Sequence, residues 1–200
     1  IQASAHADDD FSKAGSIAEL TDWNISSPLW APVTLDGKWL RLQDKDPFDY
    51  AKVERKIPAS KELKVSFDLQ AGQNDKGTLQ IEFLDENGIA CSRLELTPDG
   101  VFRAKGGSRF ANMMKYEAGK TYHVEAVLST ADRNIQVYVD GKRVGLRMFY
   151  APVASIERIA FRTGVPRTFP TVDTPADQTY DLPGAGEQEP IAEYRIANVK

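Results

Sequence analysis

The stretch that decides the fold lies at residues 79–96 and reads LQIEFLDENGIACSRLEL. At its centre is Asn87-Gly88, the pair most typical of a two-residue hairpin loop, because both central residues of a type I′ turn need a positive φ. Pairing outward from this loop collects apolar residues on one face and polar residues on the other: Ile81 with Leu94 and Leu79 with Leu96, then Glu82 with Arg93 and Gln80 with Glu95. A shift of one residue would mix the two faces, so the sequence predicts this register.

A second hairpin is centred on Asp140-Gly141. The same pairing rule predicts three pairs across it: Ile135 with Leu146, Val137 with Val144, and Tyr138 with Arg143. Two hairpins that each have one apolar and one polar face indicate an antiparallel sheet buried on one side.

Strand-like runs with turn residues between them continue along most of the chain, and no segment keeps a helical period beyond about three turns. The predicted strands lie near 38–43, 50–57, 62–70, 77–85, 89–96, 101–104, 121–129, 134–140, 142–148, 157–163 and 191–199. So many antiparallel strands do not remain one open sheet. The sequence therefore predicts an all-β fold, a two-sheet antiparallel β-sandwich of the jelly-roll type, in a single domain over residues 1–200.

Two segments lack the strand pattern. Residues 1–22 begin with polar and acidic residues and are predicted to form a lead-in arm. The segment 165–190 holds five of the eleven prolines of the chain. Because proline lowers the entropy lost on ordering, we expect 165–190 to be an ordered loop across the sandwich. It would deliver 191–199 as an edge or closing strand beside an N-terminal strand.

Composition limits the function classes. The net charge is −4 with a pI near 5.3, which argues against a nucleic-acid partner because such a partner requires a basic face. No apolar stretch reaches the roughly 18 residues of a membrane helix, so no membrane insertion is expected. Cys91 is the only cysteine and is predicted to be a half-buried structural thiol. A chain that begins Ile1-Gln2 suggests a trimmed mature protein or a domain excised from a longer one.

Three segments carry a resemblance to a known superfamily: GKTY at 119–122, IQVYVDGKRV at 135–144 and SIERIAFRTG at 155–164. Their succession of strands and turns resembles the concanavalin A-like lectin/glucanase superfamily in its laminin-G-like branch. The last segment is similar to one in accessory domains of secreted bacterial polysaccharide-degrading proteins. The resemblance implies a polysaccharide or oligosaccharide partner, other domains of a larger protein and an extracytoplasmic location: secreted, periplasmic or at the cell surface.

Two functions remain open at this point. The first is a non-catalytic carbohydrate-binding or accessory module, because residues 80–85 read QIEFLD and lack the Glu-x-Asp-x-x-Glu pattern of the laminarinase-like glycosidases. The alternative is a glycoside hydrolase or polysaccharide lyase with a site on the polar sheet face. Its candidate catalytic residues are Glu82, Glu95 and His123, and Arg93 or Arg162 would bind an acidic sugar. Arg93 opposite Glu82 is more typical of a structural ion pair than of a proton donor.

The polar residues that alternate with the apolar ones form either a trough for sugar hydroxyls or a solvated outer face. They are Ser66, Asp68, Gln80, Glu82, Arg93, Glu95, His123, Glu125, Gln136, Tyr138, Arg158 and Arg162. The candidate ligand-binding residues, which include two loop aromatics, are Trp30, Arg93, Tyr138, Tyr150, Arg158 and Arg162. Trp39, within a strand, is predicted to be a core residue.

A metal site is a further candidate. Asp44, Asp46 and Asp49 place three carboxylates in one turn, and hard oxygen donors suit Ca²⁺. The superfamily often holds a structural calcium ion, whereas Pro47 offers an ordinary turn explanation for the same cluster. No other cofactor is expected.

Overall fold

The computed structural model describes residues 8–164, 172 and 188–200. Over these residues the chain forms two three-residue 3-10 helices, Phe11–Lys13 and Ile17–Glu19, and otherwise strands, turns and connections. The strands are β1 (Trp23–Ser26), β2 (Val33–Asp36), β3 (Trp39–Asp44), β4 (Lys52–Ser60), β5 (Glu62–Ala71), β6 (Leu79–Leu84), β7 (Ala90–Leu96), β8 (Val101–Gly106), β9 (Arg109–Lys115), β10 (Thr121–Ser129), β11 (Asn134–Val139), β12 (Lys142–Met148), β13 (Ile156–Thr163) and β14 (Ala192–Ala197). None of these helices has the length and apolar character needed to cross a membrane.

The strands form two seven-stranded antiparallel sheets. The first sheet has the order β1-β4-β13-β6-β7-β8-β9, and the second has the order β12-β11-β10-β5-β14-β3-β2. The core lies between them because each strand turns every second side chain inward. The rings of Phe67 and Phe161, one from each sheet, meet edge to face with centroids 5.0 Å apart. The prediction of an all-β two-sheet sandwich is confirmed.

The register of the first hairpin is confirmed for all four predicted pairs. Its predicted turn type is wrong, because Gly88 has a positive φ of 80° and Asn87 does not. The Asp85 carboxylate accepts hydrogen bonds from the backbone N–H groups of Asn87 (2.9 Å) and Ile89 (2.8 Å), and so organises a longer turn. A bulge at Cys91 in β7 compensates for this longer turn. The two strands therefore keep the predicted register.

The second hairpin has the predicted type I′ turn, with φ of 49° at Asp140 and 82° at Gly141. The pair Tyr138 with Arg143 is confirmed, but the other two pairs are wrong: Ile135 pairs with Arg147, and Val137 pairs with Gly145. The register shifts because Val144 is an extra, bulged residue in β12. A contact between the two sheets explains this bulge, since a Cβ at Gly145 would lie 2.6 Å from Sδ of Met113 in the other sheet. The bulge places a glycine at this close approach.

The last strand, β14, lies beside the N-terminal strand β3, as predicted. It is not at an edge, because it also pairs with β5 on its other side. The predicted crossing loop 165–190 falls outside the described residues, apart from 172 and 188–190. The described part of the lead-in arm packs on the sandwich, where Phe11 is buried with its ring 5.5 Å from that of Trp23.

Three strands of the structure, β1, β2 and β9, were not predicted from the sequence. The strands β1 and β2 have only four residues each and are separated by Pro28 and Pro32, and β9 has no fully buried residue and little alternation. Two burial predictions also need correction. Cys91 is fully buried rather than half-buried. Trp39 is half-buried and faces away from the core, because the register turns its neighbour Leu40 inward.

Candidate functional site

The predicted polar face is divided between the two outer faces of the sandwich. Strand alternation puts six of its residues on the first sheet: Gln80, Glu82, Arg93, Glu95, Arg158 and Arg162. It puts the other six on the second sheet: Ser66, Asp68, His123, Glu125, Gln136 and Tyr138. Packed sheets lie about 10 Å apart, so His123 is separated from Glu82 and Glu95 by the whole sandwich. These three candidates therefore do not form one catalytic site.

The centre of the first outer face is a row of five side chains, here called the arginine–tyrosine face: Tyr50, Glu82, Arg93, Tyr150 and Arg162. Nη2 of Arg93 donates to Oε2 of Glu82 at 3.1 Å, and Nη2 of Arg162 lies 4.0 Å from Oε1 of the same carboxylate. The Tyr50 ring centre lies 5.1 Å from the Arg162 guanidinium, and the Tyr150 ring centre lies 5.8 Å from that of Arg93. One carboxylate thus lies between two arginines, and each arginine contacts a tyrosine.

The fold explains how these residues meet. The register pairs Glu82 of β6 with Arg93 of β7, and it places β13, with Arg162, on the other side of β6. The tyrosines come from connections, Tyr50 from β3–β4 and Tyr150 from β12–β13. The backbone N–H of Tyr150 donates to the carbonyl of Cys91 at 3.0 Å. Because Cys91 is the bulged residue of β7, its carbonyl is free of the ladder and can hold the second connection.

Two further carboxylates face outward on this sheet and are also buried. Glu54 contacts Asn24 (3.1 Å), Lys52 (3.3 Å) and Arg158 (3.4 Å). Glu95 accepts hydrogen bonds from Arg103 and Gln80. Glu54, Glu82 and Glu95 are therefore each paired with a cation.

Cations outnumber acids on this face. Among the described residues of β4, β6, β7, β8 and β13, the acids that face away from the core are Glu54, Glu82, Glu95 and Glu157. The outward cations are Lys52, Lys56, Arg93, Arg103, Lys105, Arg158 and Arg162. The chain as a whole has a net charge of −4, so this local excess of positive charge is a property of the face and not of the composition.

Within the part of the chain that the structure describes, several buried polar atoms of the same face have no hydrogen-bond partner. They are Nε of Arg93, Nε and Nη2 of Arg162, Oε1 of Gln80 and the Tyr150 hydroxyl. Buried polar groups are nearly always satisfied, so such a cluster calls for water or a ligand. Burial raises the pKa of Tyr150 to about 12, and its hydroxyl is therefore a hydrogen-bond donor at neutral pH.

The remaining sequence candidates lie elsewhere or at the rim. Arg158 is at the rim, where it contacts Glu54 and donates to the carbonyl of Glu86 at 2.7 Å. Trp30 lies in the β1–β2 connection, half-buried. On the opposite outer face, the Tyr138 hydroxyl donates to Gln136, and Nδ1 of His123 lies 2.9 Å from Asp68. The structure therefore brings together Arg93, Arg158, Arg162 and Tyr150 out of the six ligand candidates.

The three candidate metal ligands organise the turn that carries Tyr50. Oδ1 of Asp46 accepts from the N–H groups of Phe48 (2.9 Å) and Asp49 (3.0 Å), and Oδ1 of Asp49 accepts from that of Tyr50 (2.9 Å). Asp44 accepts from Asp46 N–H, and burial raises the pKa of Asp44. Over residues 8–164, 172 and 188–200, no three His, Cys, Asp or Glu side chains are grouped closely enough to hold a metal ion.

Sequence reasoning missed Tyr50, Glu54, Lys52, Arg103 and Lys105. The strand pattern placed Tyr50 at the start of a strand. Glu54 becomes part of the face only because β4 pairs with β13, which is about a hundred residues away in the chain. No local signal in the sequence identifies that neighbour.

Glu54 gives a pH-dependent prediction. Burial by itself raises the pKa of Glu54, but the Asn24 hydrogen bond and the charges of Lys52 and Arg158 together bring that pKa below its usual value. An acid with a lowered pKa in the folded state stabilises the protein above its unfolded pKa, and this stability is lost as the pH falls through the folded pKa. We expect Glu54→Gln to lose less unfolding free energy than the wild type between pH 7 and pH 3, measured by urea denaturation.

The control is Glu117→Gln, since the Glu117 side chain is 75% exposed. Its stability curve should run parallel to that of the wild type. A Glu54→Gln curve that also runs parallel to the wild type would contradict the role of the Glu54 cluster.

Comparisons with known proteins agree with this architecture. Among solved structures, the chain is similar to a sialidase at 88% identity and a TM-score of 0.90, over 100% of this chain and 18% of that one. It spans less than a fifth of that protein. It also resembles SCLam, a non-specific endo-beta-1,3(4)-glucanase from family GH16, at 10% identity and a TM-score of 0.65 over 98% and 89% of the two chains.

A third similar structure is the alginate lyase AlgAT5 from Polysaccharide Lyase family 7, at 14% identity and a TM-score of 0.55 over 91% and 94% of the two chains. At these low identities the glucanase and the lyase show the jelly-roll fold alone. No curated protein matches the chain. The family model "Sialidase-like, CBM domain" matches residues 23–178, which is well over half of the chain. The chain therefore belongs to the sialidase-like CBM domain family and is an accessory carbohydrate-binding module.

Proposed function

We propose that this module binds its glycan on the arginine–tyrosine face, and that it does so as one domain of a larger extracytoplasmic sialidase. The observation that carries the proposal is the combination of two tyrosines with a floor of arginines whose buried polar atoms lack partners. The similarity to 18% of a sialidase chain supports the larger protein.

The two tyrosines provide the apolar part of the site. Tyr50 is 38% exposed, so a ring face is available to a ligand, whereas Tyr150 is held against Arg93 and Lys105. Tyrosine joins an apolar ring to a polar tip, a combination suited to ligands that have both kinds of surface. A sugar ring has C–H groups on its faces and hydroxyls around its edge. Tyr50 would pack on such a face while the arginines reach the hydroxyls.

The arginines and Gln80 provide the polar part. Arg93 and Arg162 have side-chain exposures of 20% and 19%, so each is covered along its stem and open only in part. Side chains that packing already holds in place lose little entropy when a ligand binds, and pre-organisation of this kind favours affinity. A small number of placed polar groups beside apolar walls is the usual composition of a ligand site.

The acids of this face support binding without catalysis. Hydrolysis of a glycosidic bond uses a carboxyl group that can give up a proton and a second one that can act as nucleophile or base. Glu54, Glu82 and Glu95 are instead buried and paired with cations. His123 lies on the opposite outer face. Among the described residues of this face, the alternative of a hydrolase or lyase therefore has no assembled set of catalytic groups.

A binding module raises the activity of a neighbouring catalytic domain through proximity. Holding one part of a glycan converts the encounter of the catalytic domain with the rest of it into an intramolecular event with a high effective concentration. This role requires only modest affinity. It also leaves the chemistry to the other domain.

The test is isothermal titration of the module against a panel of host and plant glycans, followed by two variants. We expect Tyr50→Ala to weaken binding of the best ligand about tenfold, because it removes the exposed ring. Tyr138→Ala, on the opposite outer face, is the matched control and should bind as the wild type does. The proposal would be overturned if no glycan of the panel binds. It would also be overturned if Tyr138→Ala weakens binding and Tyr50→Ala does not.

A further inference from the structure

We infer that Thr163, a buried residue of β13, is a positioning residue of the arginine–tyrosine face. Its hydroxyl holds the backbone of the β3–β4 connection next to Tyr50, and this contact keeps the Tyr50 ring over Arg162. The inference rests on the proposed function, because it concerns the same site. It goes beyond that function by assigning part of the affinity to a residue on the core side of the sheet, which a ligand on the outer face does not touch.

The first observation is that Thr163 is a polar residue in an apolar position. It is 1% exposed, and the nearest side chains of β13 that point into the core, Ile159 and Phe161, are apolar. Valine has the same shape as threonine and would fill this place without a polar atom. A hydroxyl buried among apolar groups costs free energy unless it makes a hydrogen bond. The hydrogen bonds of this hydroxyl therefore indicate its role.

The second observation is the way in which Thr163 contacts Ala51, the last residue before β4. In a regular antiparallel ladder, two opposite residues of a hydrogen-bonded pair exchange two backbone hydrogen bonds. Here the N–H of Thr163 donates to the carbonyl of Ala51 at 3.0 Å, but the N–H of Ala51 donates to Oγ1 of Thr163 at 2.9 Å. A side chain thus replaces a carbonyl in the second bond. The connection joins the sheet through this contact, directly after Tyr50.

Tyr50 is held on both sides of its backbone. The bond to Thr163 fixes Ala51, which follows it, and Oδ1 of Asp49, which precedes it, accepts from the N–H of Tyr50 at 2.9 Å. Gly164 lies against the same residue, since a Cβ added to it would be 4.0 Å from Cβ of Tyr50. The partly exposed ring therefore extends from a backbone that is anchored to the end of β13.

The strand β13 provides both the backbone anchor and the partner of the ring. Successive residues of a strand point to opposite faces, so Thr163 contacts Ala51 from the core side while Arg162 points to the outer face. There the Arg162 guanidinium lies 5.1 Å from the centre of the Tyr50 ring. Connections are more mobile than strands, and a ring that is already held loses less entropy when a sugar packs on it.

Asp44, at the end of β3, takes part in the same contact. Burial raises the pKa of Asp44, and a hydrogen bond from the Thr163 hydroxyl opposes that rise. Oδ1 of Asp44 also accepts from the N–H of Asp46 at 2.9 Å. The carboxylate therefore joins the start of the β3–β4 connection to its end, because Thr163 holds Ala51.

The first measurement is the affinity of two Thr163 variants. The probe is whichever of N-acetyllactosamine, sialyllactose, cellohexaose and trigalacturonic acid binds the wild type most tightly, titrated calorimetrically into the module. Thr163→Val removes the hydroxyl and keeps the shape. We expect it to weaken binding about fivefold, most of the loss that Tyr50→Ala causes, because the ring is misplaced rather than removed. Thr163→Ser keeps the hydroxyl and should bind within about twofold of the wild type.

Two controls separate positioning from a general loss of stability. Ile159→Val shortens another buried side chain of β13, so it should lower the melting temperature and leave the affinity unchanged. In a Tyr50→Ala background, Thr163→Val should cause no further loss of affinity, because two residues that act through one ring are not additive. If Thr163→Val does not fold, Asp44→Ala takes its place with the same expected loss.

The second measurement needs no ligand. An aromatic ring shifts the NMR signals of nearby protons, so the Arg162 Nε–H resonance reports the position of the Tyr50 ring. Thr163→Val should move this resonance toward its position in Tyr50→Ala. Thr163→Ser should leave it at its wild-type position.

The outcomes separate the inference from the proposed function. If Tyr50→Ala weakens binding and Thr163→Val does not, the inference is overturned and the proposed site stands. Additive losses in the double variant, or an Arg162 resonance that Thr163→Val does not move, would also overturn the inference alone. If the wild type binds no glycan of the panel, or if Tyr50→Ala binds as the wild type does, the proposed function is overturned together with the inference.

Discussion

Deletion of residues 191–200 is expected to abolish cooperative folding. β14 lies between β3 and β5, so its removal splits the second sheet into two parts. It also removes the fully buried side chains of Tyr194, Ile196 and Val199. Each large buried side chain is worth about 2–5 kcal/mol, and the sum reaches the roughly 5–15 kcal/mol that a whole domain has.

The measurement is a thermal melt followed by far- and near-ultraviolet circular dichroism. The truncated chain should show no cooperative transition and no near-ultraviolet signal. The control is Ile191→Ala in the full chain, because Ile191 is 47% exposed and should change stability by less than about 1 kcal/mol. A truncated chain that melts at the wild-type midpoint would show that β14 is peripheral.

The second large effect is expected at Glu82. Glu82→Gln removes the carboxylate that lies between Arg93 and Arg162 and leaves two partly buried guanidinium groups without their anion. Breaking one side of a buried ion pair costs about 3–5 kcal/mol, because the remaining charge is uncompensated. We expect Glu82→Gln to lower the unfolding free energy by that order, measured by urea denaturation at neutral pH.

Glu125→Gln is the matched control, because Glu125 is paired at 3.5 Å with a lysine that is 69% exposed. Pairs of this kind contribute about 0–1 kcal/mol. A loss at Glu82 no larger than that at Glu125 would contradict the view that the arginine–tyrosine face is a tightly coupled charge network. Addition of the best-binding glycan should raise the melting temperature of the Glu125→Gln variant, because binding to the folded state stabilises it.

The hairpins could be predicted because their information is local. The pairing of Glu82 with Arg93 depends on two strands that a short turn connects, and the alternation of side chains allows one register. The bulges at Cys91 and Val144 could not be predicted in this way. The first follows from the Asp85 turn, and the second from the close approach of Gly145 to Met113 in the other sheet.

The site was only partly predictable, since it depends on which strands become neighbours. Arg93, Arg158, Arg162 and Tyr150 were recognised as polar or aromatic candidates, but Tyr138 and His123 have the same sequence pattern and lie on the opposite outer face. Alternation along a strand shows that a residue faces outward without showing which sheet carries it. The meeting of Glu82 with Arg162 needs the pairing of β6 with β13, which brings together residues far apart in the chain.

The central claim is that the outer face of the first sheet binds the glycan, and NMR titration of the labelled module tests it most directly. Spectra that report backbone amides and arginine Nε–H groups are recorded while the best-binding glycan is added. The account predicts that the shifts change most at Tyr50, Glu82, Arg93, Tyr150 and Arg162, with His123 and Tyr138 unchanged. Changes centred on His123 and Tyr138, with the arginine–tyrosine face unaffected, would contradict it.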